Sequence, residues 1–501
     1  MSIKRILTIV YICLSLVYIF APIHFAPPAS DLAAFTRELD ERVPRFLKIF
    51  HIPGASVALI QNGQVAWANS YGLADVQQRA PVSTRTIFQA ASISKTVTAW
   101  GVMKLVDEGK LALDAPAETY LHRWHIPASD FDPRGVTVRR LLNHTSGLAD
   151  VEFLGYPPGQ PLPTLEESLT NGPPAPTGRM KDSPGSMNVG SVRLVAPPGQ
   201  RYVYSDANYV VLQLLIEEVT GESFADYMQG AVLTPLGMTD SSFARTPELI
   251  ARTATPYDFR EEPLPDYRFT ELAPAGLYTT ASDLARFVAA GLGELAGSGV
   301  ISPASVQWMI TPAARIPGFD GWVYANAYGL GYFIDTPPNG KILISHMGGN
   351  LGWSCEFAAS PSTGNGIVIM TNGSTGHEVF SNVLTAWTDW QRLDEARVAH
   401  STRLAQRLFQ TLTVSMCIAA MLLSLGLIAG IRAGKRRFDL RHLPWSRTVG
   451  AVICIVALLL YWTIAHPLLQ INLPSQAPGL LTGVTFLGLT IFSNILFSQT
   501  P

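Results

Sequence analysis

The chain has 501 residues, 48% of them hydrophobic and only 15% charged, with 36 Lys and Arg against 38 Asp and Glu. That length exceeds what one compact core needs, and the apolar excess points to membrane segments rather than a purely soluble protein. A net charge of −2 argues against a nucleic-acid partner.

Lys4 and Arg5 precede an apolar run from Ile6 to Ala21 that extends weakly to Ala26. This is a basic stretch followed by a hydrophobic one, as in export signals. Ala26 is followed by Pro27 and Pro28, which resist cleavage. Residues 1–29 read either as an uncleaved signal anchor or as a removed signal peptide. Val-Tyr-Ile before Cys13 lacks the small residue expected ahead of a lipidated cysteine. Cys13, Cys417 and Cys454 lie in apolar segments, so Cys355 stands alone in the polar body and no disulfide is expected there. Zinc spacing and nucleotide motifs are absent, and neither cofactor nor metal is expected.

The body, 30–390, begins near Ser30. ASVALIQNGQVAWANSYG alternates apolar and polar residues around Asn62-Gly63 and predicts a hairpin. TIFQAASISKTVTAWGVMKLVDEGKL predicts a helix closed at Gly109. It carries Ser92 and Lys95 three residues apart, so a hydroxyl and an amine share a face. A serine is a weak nucleophile until a base takes its proton, and a lysine whose charge is disfavoured can be that base. The tetrapeptide alone also fits an ordinary surface helix. RRLLNHTSGL then places the turn Asn143-His144-Thr145-Ser146-Gly147 after two leucines. Residues 156–198, rich in Pro, Gly and Ser, read as a long loop, either bordering a substrate cleft or a solvated insertion. Tyr204-Ser205-Asp206 precedes an apolar stretch that reads as a buried helix. His346-Met347-Gly348-Gly349 follows the strand-like KILI, and GGNLG with GNGIVIMTN predicts a final antiparallel hairpin.

In this order, the motifs resemble the serine β-lactamase and penicillin-binding protein superfamily, closest to its class C-like branch. That branch includes D-alanyl-D-alanine carboxypeptidases, D-aminopeptidases, esterases and prodrug-cleaving peptidases. Ser92 and Lys95 match its S-x-x-K element. Tyr204-Ser205-Asp206 stands where the branch has Tyr-x-Asn, and His346-Met347-Gly348 where it has Lys-Thr-Gly. LNHTSGL and PAGLYTTASDLARF are further resemblances. The similarity runs from about His51 to about Trp390. It implies an α/β (α+β) transpeptidase-like fold, an antiparallel sheet flanked by helices. It also implies Ser92 as nucleophile, Lys95 as its base or relay and Tyr204 as a second acid–base group. Tyrosine needs adjacent positive charge to act as a base near neutral pH, from Lys95 and His346. Asp206, His346, Gly348 and Gly349 would border the substrate, with the N–H groups of Ser92 and Gly349 holding the oxyanion. Asn143, His144, Ser146 and Asp283 read as structural.

Two departures bear on substrate. Asp206 replaces an amide, and an ionised carboxylate only accepts hydrogen bonds. His346 replaces a lysine that binds the substrate carboxylate. Both argue against efficient penicillin turnover.

After a polar, helix-like linker at 391–407 come three apolar stretches, 408–431, 448–465 and 479–497, each near the length that spans a bilayer. Arg432, Lys435, Arg436, Arg437 and Arg441 make the first connection cytoplasmic by the positive-inside rule, which places the body outside. The expected protein is a membrane-anchored, extracytoplasmic serine hydrolase on an amide or ester, most plainly a peptidase on D-amino-acid-containing material. Its partners would be a small-molecule or peptide substrate and membrane lipid. Alternatives are a β-lactamase or esterase, a penicillin-binding sensor and a non-catalytic envelope-binding protein.

Overall fold

The computed structural model describes residues 31–172, 190–292, 299–337, 340–438, 445–461 and 477–499, with Tyr11 and Ser15. Nearly all of the N-terminal 1–29 segment, part of the Pro/Gly-rich stretch and Arg441 of the basic connection lie outside the described residues. The chain divides into two units, Phe25–Ser401 and Met1–His24 with Thr402–Pro501.

In the first unit, helix α1 (Leu32–Ile49) is capped by Asp31, whose carboxylate accepts from Ala34 N at 2.8 Å. Phe35, Leu39, Val43 and Leu47 recur at helical spacing and form its buried stripe. Strands β1 (Gly54–Gln61) and β2 (Gln64–Asp75) make the expected hairpin, with Asn62 and Gly63 at φ 51° and 72° as its tight turn requires. The chain continues through β3 (Ala80–Pro81), α2 (Ile93–Asp107), α3 (Val138–Leu142), α4 (Leu165–Asn171), α5 (Asp206–Thr220), α6 (Leu272–Ala275) and α7 (Ala281–Ala290). It closes with β4 (Ala314–Arg315), α8 (Gly318–Val323), β5 (Ala327–Tyr328), β6 (Phe333–Asp335), β7 (Leu343–Asn350), β8 (Trp353–Ser360), β9 (Asn365–Thr371) and α9 (Gly376–Gln391).

One nine-stranded sheet runs β3-β2-β1-β9-β8-β7-β6-β5-β4 with every neighbouring pair antiparallel. The first and last parts of the body therefore meet in mid-sheet, where Val57 pairs with Ile369. Helices α1 and α9 pack one apolar cluster against it, with Phe35, Leu39, Val379 and Trp387. A larger cluster joins the sheet to α2, α5 and α7 through Val97, Trp100, Leu212, Phe287 and Phe357. This is the expected antiparallel sheet flanked by helices.

One expectation is corrected. Residues 156–198 are not one irregular loop, because α4 lies inside them. Thr164 accepts from Glu167 N, and the Glu167 side chain accepts from Thr164 N, closing a capping box. The polar linker, expected to be helical, continues into the first apolar stretch. After Arg392 ends α9 at φ 52°, a single helix α10 runs from Arg397 to Arg432. In the second unit, α11 (Trp445–Leu460) and α12 (Ala477–Leu496) follow, and Arg436–Phe438 pairs antiparallel with Phe497–Gln499. Among the described residues one helix, α10, is long and apolar enough to cross a membrane.

Candidate active site

Ser92 is the N-cap of α2, with helical backbone angles of −63° and −9°, so Lys95 stands one turn further on the same face. Ala91, just before it, is held at φ 47°, a left-handed value that alanine rarely adopts. Such local strain aims the serine out of the turn.

Lys95 is wholly buried, at 0% exposure. Its Nζ donates to Ser92 Oγ at 3.0 Å and to the Pro274 carbonyl at 3.1 Å, and lies 2.7 Å from Asp206 Oδ1. An ammonium has three protons to donate, and here it meets three acceptors. Burial alone pulls this ammonium towards its neutral form, but Asp206 and then Tyr204 outweigh it and the net shift is upward. Lys95 is therefore a charged relay at rest, not a free amine.

Each acceptor is itself fixed. Helix α6 presents Pro274, and Gln213 Oε1 accepts from Leu272 N and Ala273 N at 2.7 and 3.0 Å. Thr98 Oγ1 donates to Ala273 O at 3.1 Å, tying α6 to the helix of Ser92. Asp206 opens α5, and its second oxygen accepts from Phe153 N at 3.0 Å. Both of its oxygens thus accept, as an ionised carboxylate must.

The Tyr204 ring lies 4.9 Å from Lys95 Nζ. Burial raises its phenol above the ordinary range. Lys95 opposes that rise, as do hydrogen bonds from Ser92 and Lys95. The ring also packs at 4.5 Å on His144 and 6.1 Å on Phe333. His144 is neutral: burial, then the charge of Lys95, pushes it well down. Its Nδ1 accepts from Asn208 Nδ2 at 3.1 Å and from Ser205 N at 3.3 Å, so the Asn-His-Thr-Ser turn braces the Tyr-Ser-Asp segment. Ser146 adds a hydrogen bond to Asn208 Oδ1. Asn143 caps its own turn through Thr145, and Asp283 accepts from Asp240 N and Ser241 Oγ, away from Ser92's partners.

His346, expected to border the substrate, packs beside Tyr204 with ring centroids 6.3 Å apart. It is 0% exposed, its Nδ1 donates to the Met347 carbonyl at 2.8 Å, and its Nε2 accepts from Tyr328 OH at 3.0 Å. Burial and then the charge of Lys95 push its pKa down to about 3. It supplies no positive charge to Tyr204, correcting that expectation. Along the strand His346 shares a face with Gly348, the face that meets Ser92, so it lies in the site as a buried neutral group.

Gly348 and Gly349 lie on the same strand. A Cβ at Gly348 would meet Ala90 O at 2.1 Å and Ser92 N at 3.1 Å, so only glycine lets β7 pass this close to the serine. A Cβ at Gly349 would meet nothing within 4 Å. On the β6 side only Leu343–Ser345 are paired, so His346–Asn350 present an edge without a sheet partner among the described residues.

Sequence reasoning missed the groups around this core. Tyr328 joins it from a distant segment, and Tyr202 from two residues before Tyr204. Glu152 is half-buried beside it; burial, then Asp206 and Asp150, raises its carboxyl to about 7. Asp150 is likewise raised by burial, Asp206 and Asp320. The surroundings of Ser92 are acidic, a feature assembled by folding and invisible in any one motif.

With this geometry in place, comparison with known proteins is decisive. The Beta-lactamase family pattern matches residues 39–386, well over half of the chain. The chain belongs to this family of serine hydrolases. It is 27% identical over 346 residues to Protein flp of Staphylococcus aureus strain N315, covering 67% of this chain and 63% of the relative. It is 28% identical over 320 residues to Penicillin-binding protein 4* of Bacillus subtilis, covering 61% and 64%. The chain thus spans under two thirds of either relative. The octameric penicillin-binding protein homologue from Pyrococcus abyssi superposes with a TM-score of 0.60 at 26% identity, over 74% of this chain and 80% of that one.

Proposed function

We propose that this chain is a membrane-anchored, extracytoplasmic serine hydrolase that opens an amide or ester through an acyl-enzyme on Ser92, acting as a peptidase on D-amino-acid-containing or related small substrates. The observation that carries the reading is the buried Lys95 ammonium, 3.0 Å from Ser92 Oγ and 2.7 Å from Asp206, beneath the unpaired edge of β7. An extended substrate adding to that edge lays its carbonyl beside Ser92. The N–H groups of Ser92 and Gly349 then receive the oxyanion.

Proton flow follows from the charges. Lys95 hands a proton to Asp206 and, now neutral, takes the proton of Ser92 as Oγ attacks. Tyr204 protonates the leaving group and is reprotonated by Lys95, which recovers its own from Asp206. In deacylation the same groups activate water. The neutral His346 and the acidic surroundings disfavour a substrate carboxylate, so neutral or cationic amides and esters are the better substrates. That choice leaves β-lactamase action as the weaker alternative.

Anchoring draws support from the apolar face that α10 exposes at Leu412, Leu422, Leu425 and Ile428. Topology draws support from the pairing of Arg436–Phe438 with Phe497–Gln499, which brings the basic connection and the end of α12 together.

The test is covalent labelling of the purified protein with a fluorophosphonate or penicillin probe. Ser92→Ala should abolish it, and labelling that persists at another serine defeats the reading. Rapid decay of the acyl form made from a neutral ester substrate marks a hydrolase, whereas a long-lived acyl form from that ester marks a sensor. A reporter fused after Ile431 should read cytoplasmic and one near Ser30 external. The reverse pattern breaks the topology.

A further inference from the structure

The Phe25–Ser401 unit holds a cavity of about 650 Å³ at the β4 edge of the sheet, lined by none of the residues around Ser92. Its walls include Arg315 on β4, Ile316, Trp322 on α8, Asn326, Thr336 and Arg397. The size suits a small molecule or a lipid headgroup. No carboxylate is among its lining residues.

The two arginines are available to an anion. Arg315 is exposed and has no partner among the described residues. Arg397 gives Nε to Asp335 Oδ1 at 2.8 Å and its backbone N–H to Oδ2 at 3.1 Å. Its two terminal nitrogens are unpartnered among the described residues. Asn326 and Thr336 bind each other, Nδ2 to Oγ1 at 2.6 Å, and fix the wall between. A planar, charged fork of this kind matches phosphate oxygens.

The other half of the feature is apolar. Helix α8 exposes Phe319 at 73% and Trp322 at 43%, with ring centroids 5.8 Å apart. Exposed tryptophan beside cationic side chains is the pattern of a membrane–water interface. Chain length permits contact with one. The last residue of α8, Val323, accepts from Ser401 Oγ at 3.2 Å, and only six residues separate Ser401 from the apolar run at Leu408.

We propose that this cavity binds the phosphate headgroup of an anionic lipid, with Arg315 and Arg397 on the phosphate and Trp322 and Phe319 at the interfacial level. The proposal rests on the reading that α10 crosses a bilayer. It gives the body a second, lipid-specific hold on the membrane beside its helical anchor.

The experiment is a titration of the detergent-solubilised full chain, followed by native mass spectrometry. The probes are dioctanoyl phosphatidylglycerol, dioctanoyl phosphatidylcholine and inorganic phosphate. One phosphatidylglycerol should be retained, and Arg315→Ala should weaken it about tenfold, the scale of one lost hydrogen bond to a charged group. Trp322→Ala should weaken it too, while serine-probe labelling of both variants reports an intact fold. Equal retention in wild type and Arg315→Ala overturns the proposal. So does phosphatidylcholine bound as tightly as phosphatidylglycerol, or inorganic phosphate that displaces the lipid completely, which marks a free-anion site. Carbonate extraction of cell membranes tests the anchor separately. Release of the wild-type protein defeats the anchoring reading, whereas a carbonate-resistant protein with unselective lipid retention defeats the cavity alone.

Discussion

Two buried regions of the body differ in kind. Between α1, α9 and the sheet, Phe35 stacks on Trp390 at 4.4 Å and 13°, amid Val379, Leu384 and Trp387. Around Ser92 the interior instead holds an ammonium, a carboxylate and two neutral histidines among tyrosines. Apolar burial stabilises at little risk, because carbon has no hydrogen bond to lose; here the Trp387 indole N–H is the exception, buried without a partner among the described residues. A buried ion pair is a poor stabiliser, since desolvation offsets most of its attraction, and losing one partner strands the other. The difference teaches where selection acted on chemistry: the first region holds the fold and the second holds charges that the fold alone does not need.

That contrast can be broken most directly at Tyr204. If the region around Ser92 serves chemistry, Tyr204→Phe should keep the fold and lower kcat by about 10²–10⁴-fold, the usual weight of a general acid–base group. A matched ester and amide, followed by stopped assay, measure it. A variant that retains wild-type kcat makes Tyr204 a packing residue, and the two regions cease to differ.

The converse experiment lies in the apolar cluster. Phe35 is fully buried, so Phe35→Ala should cost about 3–5 kcal/mol of stability through lost burial and the cavity left behind. Urea unfolding of the solubilised protein reads this as a lower midpoint. The folded fraction should turn over at the wild-type rate. A lower kcat in fully folded protein would show that α1 reaches the site, and the separation would fail.

How much of this was legible in the sequence divides along the same line. Ser92 and Lys95 declare themselves because their partnership is local, one helical turn. Tyr204 and the Asn-His-Thr-Ser turn follow from motif order. The fold class was legible too, since strand alternation marks β1 and β2 and the apolar runs mark α2 and α5. What was not legible depends on burial or on distant segments. The neutral state of His346 depends on its burial against Tyr328 and the Met347 carbonyl, which no motif shows. The acidic surroundings gather Asp150, Glu152 and Asp320, which share no motif. Helix α4 is a different case: its Thr-x-x-Glu capping signal was present, but Pro and Gly on both sides masked it.

The finest test concerns the sign of charge beside Ser92. Asp206 holds Lys95 charged, so Lys95 must shed a proton before it can accept one from Ser92. Removing the carboxylate lowers the ammonium's pKa, because burial then acts without its largest counterweight. In Asp206→Asn the rising limb of the kcat/KM profile should therefore move to lower pH. The amide also regains a donor for a substrate carbonyl. Adding His346→Lys places a cation where burial now keeps a neutral imidazole. The double variant should shift preference towards carboxylate-bearing substrates by on the order of 1–3 kcal/mol, the scale of a hydrogen bond to a charged group. Comparison of kcat/KM across a matched ester, amide and β-lactam set in wild type and double variant checks it. Efficient β-lactam turnover by the wild type would sink the specificity argument, as would an unchanged preference in a double variant that still labels at Ser92. An acid limb that stays in place in Asp206→Asn would show instead that another group, with Tyr204 the next candidate, sets the charge on Lys95.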